Sequence, residues 1–378
     1  MGLVGPWGRR CIFRLFFPAC FVLAPLFTTL WAMPSEFGAQ ESDSRQAGFA
    51  FSNDAQILTL GLFQDEDRYY SQGLAGFWIG KPQPLKNCAM PIQWIGQKLN
   101  SKFTASSLRF GQELFTPNDL RMTAPAIKDE RPFLGWAHLD FGQRYYMQFG
   151  DRPGRLHIQL NLGVVGPGSF GKELQVWYHE MRRQTSPRPE LDPDPSAGWD
   201  MQYGSDGFPG RFQFSVNQGI GLVKQRFENR MGLDFGAETF LNAGALFGYV
   251  GFVAQIRSGM LTRSLYEPQW DGNHLGWEAF AFARSEINGV GWNSAITGAA
   301  GSEVRLARVT LQNEFGIVLK GPKPLPELSV SWSMWSRETE ENPKQPFQSG
   351  HVDYRSYLQS RSPWFDHGFG TVRLVWLW

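Results

Sequence analysis

Residues 156–180 read LHIQLNLGVVGPGSFGKELQVWYHE, and they carry two periodicities in succession. From Leu156 to Leu162 the alternation is strict, with Leu156, Ile158, Leu160 and Leu162 apolar and His157, Gln159 and Asn161 polar. A period of two is the mark of a β-strand with unlike faces. Gly166-Pro167-Gly168 stops it, because glycine and proline favour turns and proline has no N–H to give a ladder. A helical pattern follows, with Ser169 as its expected cap. Phe170, Leu174, Trp177, Tyr178 and Met181 recur at helical spacing, an apolar face that is expected to pack on a wall or meet lipid. Gln175 and His179 stand four apart and share one side of that helix. A histidine held on a helix above a strand end is a candidate general base.

The alternation recurs along the chain. Ala137, Leu139, Phe141, Tyr145, Met147 and Phe149 fall in one phase, as do Phe212, Phe214, Val216, Ile220 and Leu222. Leu328, Val330, Trp332 and Met334 alternate with Ser329, Ser331 and Ser333. Strands of about ten residues with unlike faces suit a tilted outer-membrane strand. A soluble β-sandwich alternates as well, so the two ends of the chain decide. Arg9, Arg10 and Arg14 border an apolar run from Leu15 to Ala32. This predicts a signal peptide over residues 1–39, cleaved after Ala32 or Ala39, with an uncleaved anchor as the alternative. No later apolar run is long enough for a spanning helix. At the other end Val372, Leu374, Trp376 and Trp378 close the sequence inside a strand pattern, which resembles the insertion signal of bacterial barrels. The expected architecture is all-β: a transmembrane antiparallel β-barrel over residues 40–378.

Composition agrees. The 15 Trp, 31 Phe and 10 Tyr could furnish aromatic girdles, or a large aromatic core. Cys11 and Cys20 fall in the leader, so Cys88 remains alone and a disulfide framework is excluded. The net charge is +1 and there is no basic block, so a nucleic-acid partner is not expected. Residues 81–104, 185–210 and 337–364 are too rich in proline or charge for strands, and are expected to be extracellular loops.

Four blocks flank or contain the candidate base. They are Phe51-Ser52-Asn53-Asp54, then Tyr70-Ser71-Gln72-Gly73, then Gly111–Leu120 (GQELFTPNDL) with Asp129–Trp136 (DERPFLGW), and last Gly163–Pro167 with Gln175, His179 and Gly198-Trp199-Asp200. In this order they resemble the LpxR family, outer-membrane lipid A 3'-O-deacylases. The departures are Ser71 for a threonine, Gln72 for an asparagine and Phe115 for a tyrosine. A glutamate that the family carries after its histidine has no assigned counterpart, with Glu180 adjacent to His179 and Gln184 near the place.

The resemblance implies a barrel of about 12 strands with a short extracellular helix beside the site. It implies His179 as base, Gln175 orienting it or the acyl group, and Arg131 facing an oxyanion or phosphate. Asn53, Ser71 and Gln72 would contact substrate, and Asp54 would hold Ca²⁺, a hard cation that takes oxygen ligands. The implied substrate is lipid A of lipopolysaccharide in the outer leaflet, cleaved at its 3'-linked acyl ester. The chain has no G-x-S-x-G elbow, so activated water rather than serine is the expected nucleophile. Two other readings stand beside this one: a non-catalytic channel or receptor, and a barrel phospholipase.

Overall fold

A computed structural model describes residues 46–53, 72–80, 102–117, 132–185, 199–201, 203, 210–227, 231–266, 276–297, 304–322, 325–336, 338–340 and 367–377. The predicted signal peptide, Cys88 and Trp378 lie outside the described residues. The strands are β1 Gln46–Asn53, β2 Gln72–Gly80, β3 Lys102–Phe115, β4 Leu134–Phe149, β5 Arg152–Val165, β6 Gly210–Arg226 and β7 Met231–Gly244. They continue as β8 Phe247–Met260, β9 Glu278–Asn293, β10 Arg305–Leu306, β11 Val309–Lys320, β12 Glu327–Trp335, β13 Thr339–Glu340 and β14 His367–Leu377. Among the described residues two α-helices follow strands, α1 Gly171–Thr185 and α2 Ser294–Thr297.

All strands except β10 and β13 form one closed antiparallel barrel of twelve. Neighbours in sequence are neighbours in the wall, and β1 pairs with β14 to close it, Phe49 opposite Leu374. Closure leaves no unpaired edge, the condition for a sheet in lipid. Strands β4, β6 and β9 have 16, 17 and 16 residues. About 9–11 residues suffice to cross a bilayer at a tilt, so the wall stands proud of the membrane.

The two faces of the wall are inverted relative to a soluble protein. Phe49, Leu74, Phe110, Phe212, Phe252 and Ile317 are exposed, whereas Asp140, Asn161, Gln213, Asp234, Glu238 and Ser331 are buried. Apolar side chains thus meet the hydrocarbon, and polar ones fill the lumen. A soluble sandwich would bury the first set and expose the second, so the alternation is that of a membrane barrel.

Ion pairs line the lumen, along one strand or between nearby strands. Arg155 meets Glu238 at 3.0 Å, Arg284 meets Glu286 at 2.6 Å, Arg373 meets Glu327 at 2.9 Å and Lys320 meets Glu278 at 3.7 Å. Asp234 takes Arg226 at 2.6 Å and Arg257 at 2.7 Å, and also accepts the Leu265 backbone N–H at 3.0 Å. The segment after β8 is held there too, since Arg226 donates to the Arg263 carbonyl at 2.7 Å and the Thr262 N–H donates to Glu278 at 2.9 Å. Leu265 and Tyr266 line the lumen, with Arg155 stacked 5.2 Å above the Tyr266 ring. Residues 261–266 therefore fold back into the barrel at the end that carries Gln46 and Leu377.

This topology corrects one expectation. Gly80 and Lys102 lie at the same end as Gln46 and Leu377, so the connection over 81–104 belongs to that end and β3 already begins at Lys102. The connections over 185–210 and 337–364 start and finish at the opposite end, beside α1. Three segments of similar composition thus divide between two ends, because loop composition reports irregular backbone and carries no information on side.

Candidate active site

The strand of the opening stretch ends at Val165, and a 3-10 turn, Gly166–Ser169, follows. Phe170 then adopts a left-handed conformation at φ 57° and leads into α1. The Ser169 hydroxyl donates back to the Gly166 carbonyl at 2.6 Å, while the Leu174 N–H finds the Phe170 carbonyl at 3.1 Å. Ser169 accordingly caps no helix; it closes the turn that precedes one. The extra turn arises because Pro167 has no N–H and fixes its own φ. Gln112 of β3 donates to the Ser169 carbonyl at 2.6 Å and fixes the turn to the wall.

α1 lies against β3 and β4. Its approach is closest where two glycines meet. A Cβ on Gly171 would stand 2.9 Å from Gly135 Cα and 2.8 Å from the Trp199 ring. No side chain fits between helix and strand there. The buried face of α1 is the line Gly171, Gln175 and His179, with Gln175 3% and His179 2% exposed. Phe170 and Trp177 are 66% and 57% exposed. The apolar face therefore looks mostly outward, and only Leu174 joins the packed cluster of Leu114, Phe133 and Trp199. The Met181 side chain lies outside the described residues.

Trp199, in the 3-10 turn Trp199–Met201, is fully buried and holds the pair from the far side. Its indole N–H donates to Gln175 Oε1 at 3.0 Å, and its ring lies 5.1 Å from that of Phe133. With one acceptor oxygen engaged, the Gln175 amide has a set orientation. Lys172 and Asp200 pair at 3.1 Å on the surface between the two segments.

The ladder brings the remaining candidates to the same rim. Asn53 is opposite Gln72, Gln72 opposite Leu114, and Leu114 opposite Gly135, which touches α1. This single row crosses four strands. At about 4.8 Å per strand, Gln72 stands roughly 10 Å and Asn53 roughly 14 Å along the wall from Gly135. Asn53 and Gln72 are placed by their backbones. Asp54, Ser71 and Arg131 lie outside the described residues, each within a connection that opens at this end.

Behind the helix, on the lumenal side, a polar network ties β3, β4 and β5 together. His138 Nδ1 is 2.7 Å from Asp140, Asn161 donates to Asp140 at 2.5 Å, and Arg109 approaches the same carboxylate at 3.4 Å. Glu113 lies 3.6 Å from His138 Nε2, and Trp136 stacks on the imidazole at 4.3 Å. Sequence reasoning singled out none of this group, nor Trp199 or Gln112 as site residues. The available signal was their phase, polar residues alternating with the apolar set of β4 and β5, and an indole within Gly198-Trp199-Asp200.

The profile of the family described as "Outer membrane protein LpxR" matches residues 16–357. The chain belongs to the LpxR family. It is an outer-membrane protein. Among solved structures the fold is similar to LpxR from Salmonella typhimurium at a TM-score of 0.59 and 16% identity, covering 88% of this chain and 99% of that one. The translocator domain of autotransporter NalP from Neisseria meningitidis is more distant, with a TM-score of 0.36 and 8% identity over 96% of this chain and 97% of that one. No curated protein matches. Membership in the LpxR family together with the closed barrel answers the choice between sandwich and membrane protein that composition left open.

Proposed function

We propose that this LpxR-family barrel is a lipid A 3'-O-deacylase-like esterase. The observation that carries the reading is the buried pair Gln175 and His179, pressed by α1 onto the wall at its rim. A site at this place can receive an acyl chain from the surrounding leaflet while the sugar stays at the surface. His179 takes a proton from water, and the resulting hydroxide attacks the ester carbonyl. The tetrahedral intermediate collapses, the C–O bond to the sugar breaks with its electron pair left on the sugar oxygen, and the acyl group leaves as a carboxylic acid that ionises to bulk water. The proton on His179 passes to that oxygen. Gln175, fixed by Trp199, orients the base or the acyl group. Arg131 meets the oxyanion or a lipid phosphate, and Asn53, Ser71 and Gln72 contact the substrate.

Ca²⁺ belongs to the proposal through Asp54, the carboxylate that follows the rim residue Asn53. Among the described residues no group of three or more His, Cys, Asp or Glu side chains could hold a metal. Asp54 lies outside the described residues, and beside its carboxylate Ca²⁺ would take further oxygen donors, as a hard cation does. When bound, the cation supplies positive charge for the developing oxyanion.

A channel is less well supported, since residues 261–266 fold into the lumen and ion-paired side chains line it. Incubating the purified barrel with lipid A, and separately with a diacyl phospholipid, tests the substrate. Release of the 3'-linked acyl group from lipid A alone supports the reading. Equal turnover of the phospholipid would move the assignment to a barrel phospholipase, and turnover of neither would remove the esterase.

A further inference from the structure

Away from α1, toward the end occupied by residues 261–266, the lumen holds a cavity of roughly 450 Å³. That volume falls in the range of small-molecule sites, about 300–1,000 Å³. Seven of its lining side chains are Arg or Lys and three are carboxylates. Five of the seven take part in the contacts given above: Arg155, Arg257, Arg284, Lys320 and Arg373 pair with carboxylates. Among the described residues Arg144 has no carboxylate within ion-pair distance. The charges that act on it are Arg155 and Arg373, both positive. Of the three lining carboxylates, Glu278 pairs with Lys320, Glu327 with Arg373, and Glu314 stands in register with Arg284 on the next strand.

A guanidinium drawn from bulk water among like charges is costly unless an anion joins it. Its planar fork of N–H donors suits two oxygens of one phosphate or carboxylate. In the same lining the Thr104 hydroxyl donates to the Arg144 carbonyl at 2.9 Å and ties β3 to Arg144, Thr371 shares a hydrogen bond with Ser52 at 2.9 Å, and Tyr146 adds a phenol. We propose that this cavity is an anion site, centred on Arg144 with Arg155 and Arg373 at its sides, that takes a phosphate group. The site is separate from the α1 pocket and stands whether or not the esterase reading holds.

The phosphate group could belong to a free ion or to a lipid headgroup, and titration calorimetry on the full barrel in zwitterionic detergent separates them. The probes are inorganic phosphate and short-chain phosphatidic acid. Saturable binding of inorganic phosphate, one per barrel and weakened by salt, is the expected result. Saturation by the short-chain lipid alone would keep the site and make its ligand a headgroup. Arg144→Gln should weaken either interaction about tenfold or more, and Arg144→Lys, which keeps the charge and loses the fork, should weaken it less. No saturation by either probe up to about 10 mM would overturn the proposal in the wild-type protein alone, whatever the folding of the variants. Equal affinity in a folded Arg144→Gln barrel would overturn it too.

Discussion

At the residue scale the proposed site rests on one hydrogen bond and one imidazole. His179 is buried at the wall and Gln175 is fixed by the Trp199 indole at 3.0 Å. Trp199→Phe keeps most of the packing and removes the donor, leaving Gln175 Oε1 without it. The expected cost is about 1–2 kcal/mol of stability and a roughly ten- to hundredfold loss of turnover from misplacement. Melting and initial rates measured on the same preparation check both numbers; full activity in Trp199→Phe would show that Gln175 needs no such anchor. The pair itself was legible in the sequence, since residues four apart on a helix share a face whatever the helix packs on. Trp199 was not, because it reaches Gln175 across a connection whose path no periodicity encodes. Ser169 caps no helix for a local reason: Pro167 invites a separate turn, and the serine hydroxyl serves that turn.

At the scale of elements the question is how α1 holds to the wall. Its contact with β4 is made by Gly135 and Gly171, which leave no room for a methyl group. Gly171→Ala must push the helix off the strand or tilt it about Trp199. We expect activity to fall about a hundredfold while the barrel keeps its heat-modifiable electrophoretic mobility, because the twelve-stranded ladder does not depend on α1. Loss of the barrel itself in Gly171→Ala would contradict this division. The apolar face of α1 shows why helical spacing alone gave no orientation. Phe170 and Trp177 are exposed, and the small and polar side of the helix is the buried one. Around a membrane barrel the outside is apolar, so hydrophobic periodicity does not point inward as it does in a soluble domain. Strand positions suffer no such ambiguity: the phases read for β4, β5, β6 and β12 match the wall, because a period of two survives inversion of the faces.

At the scale of the whole molecule the lumen is braced and closed at the end carrying residues 261–266. Asp234 is the centre of that closure, joined to Arg226, Arg257 and the Leu265 N–H. Asp234→Ala leaves two guanidinium groups without their carboxylate, a cost of about 3–5 kcal/mol. The wild-type barrel should be electrically silent in a planar bilayer, and Asp234→Ala should show conductance as the segment leaves the lumen. Steady conductance in the wild type would instead favour the channel reading. The closed barrel was foreseeable from the alternation together with the expected leader and the strand pattern that closes the sequence. The lumenal network was not, since a period of two places a charged side chain on the inner face and does not say which partner on its own or a nearby strand it meets. We propose that the face of α1 carrying His179 deacylates lipid A, and the decisive experiment is mass spectrometry of lipid A from cells expressing this chain or its His179→Ala variant. The account predicts loss of the 3'-linked acyl group with the wild type, suppressed by a calcium chelator, and unaltered lipid A with an equally well inserted His179→Ala. Lipid A of the same mass in both, or deacylation that persists in the variant, would contradict it.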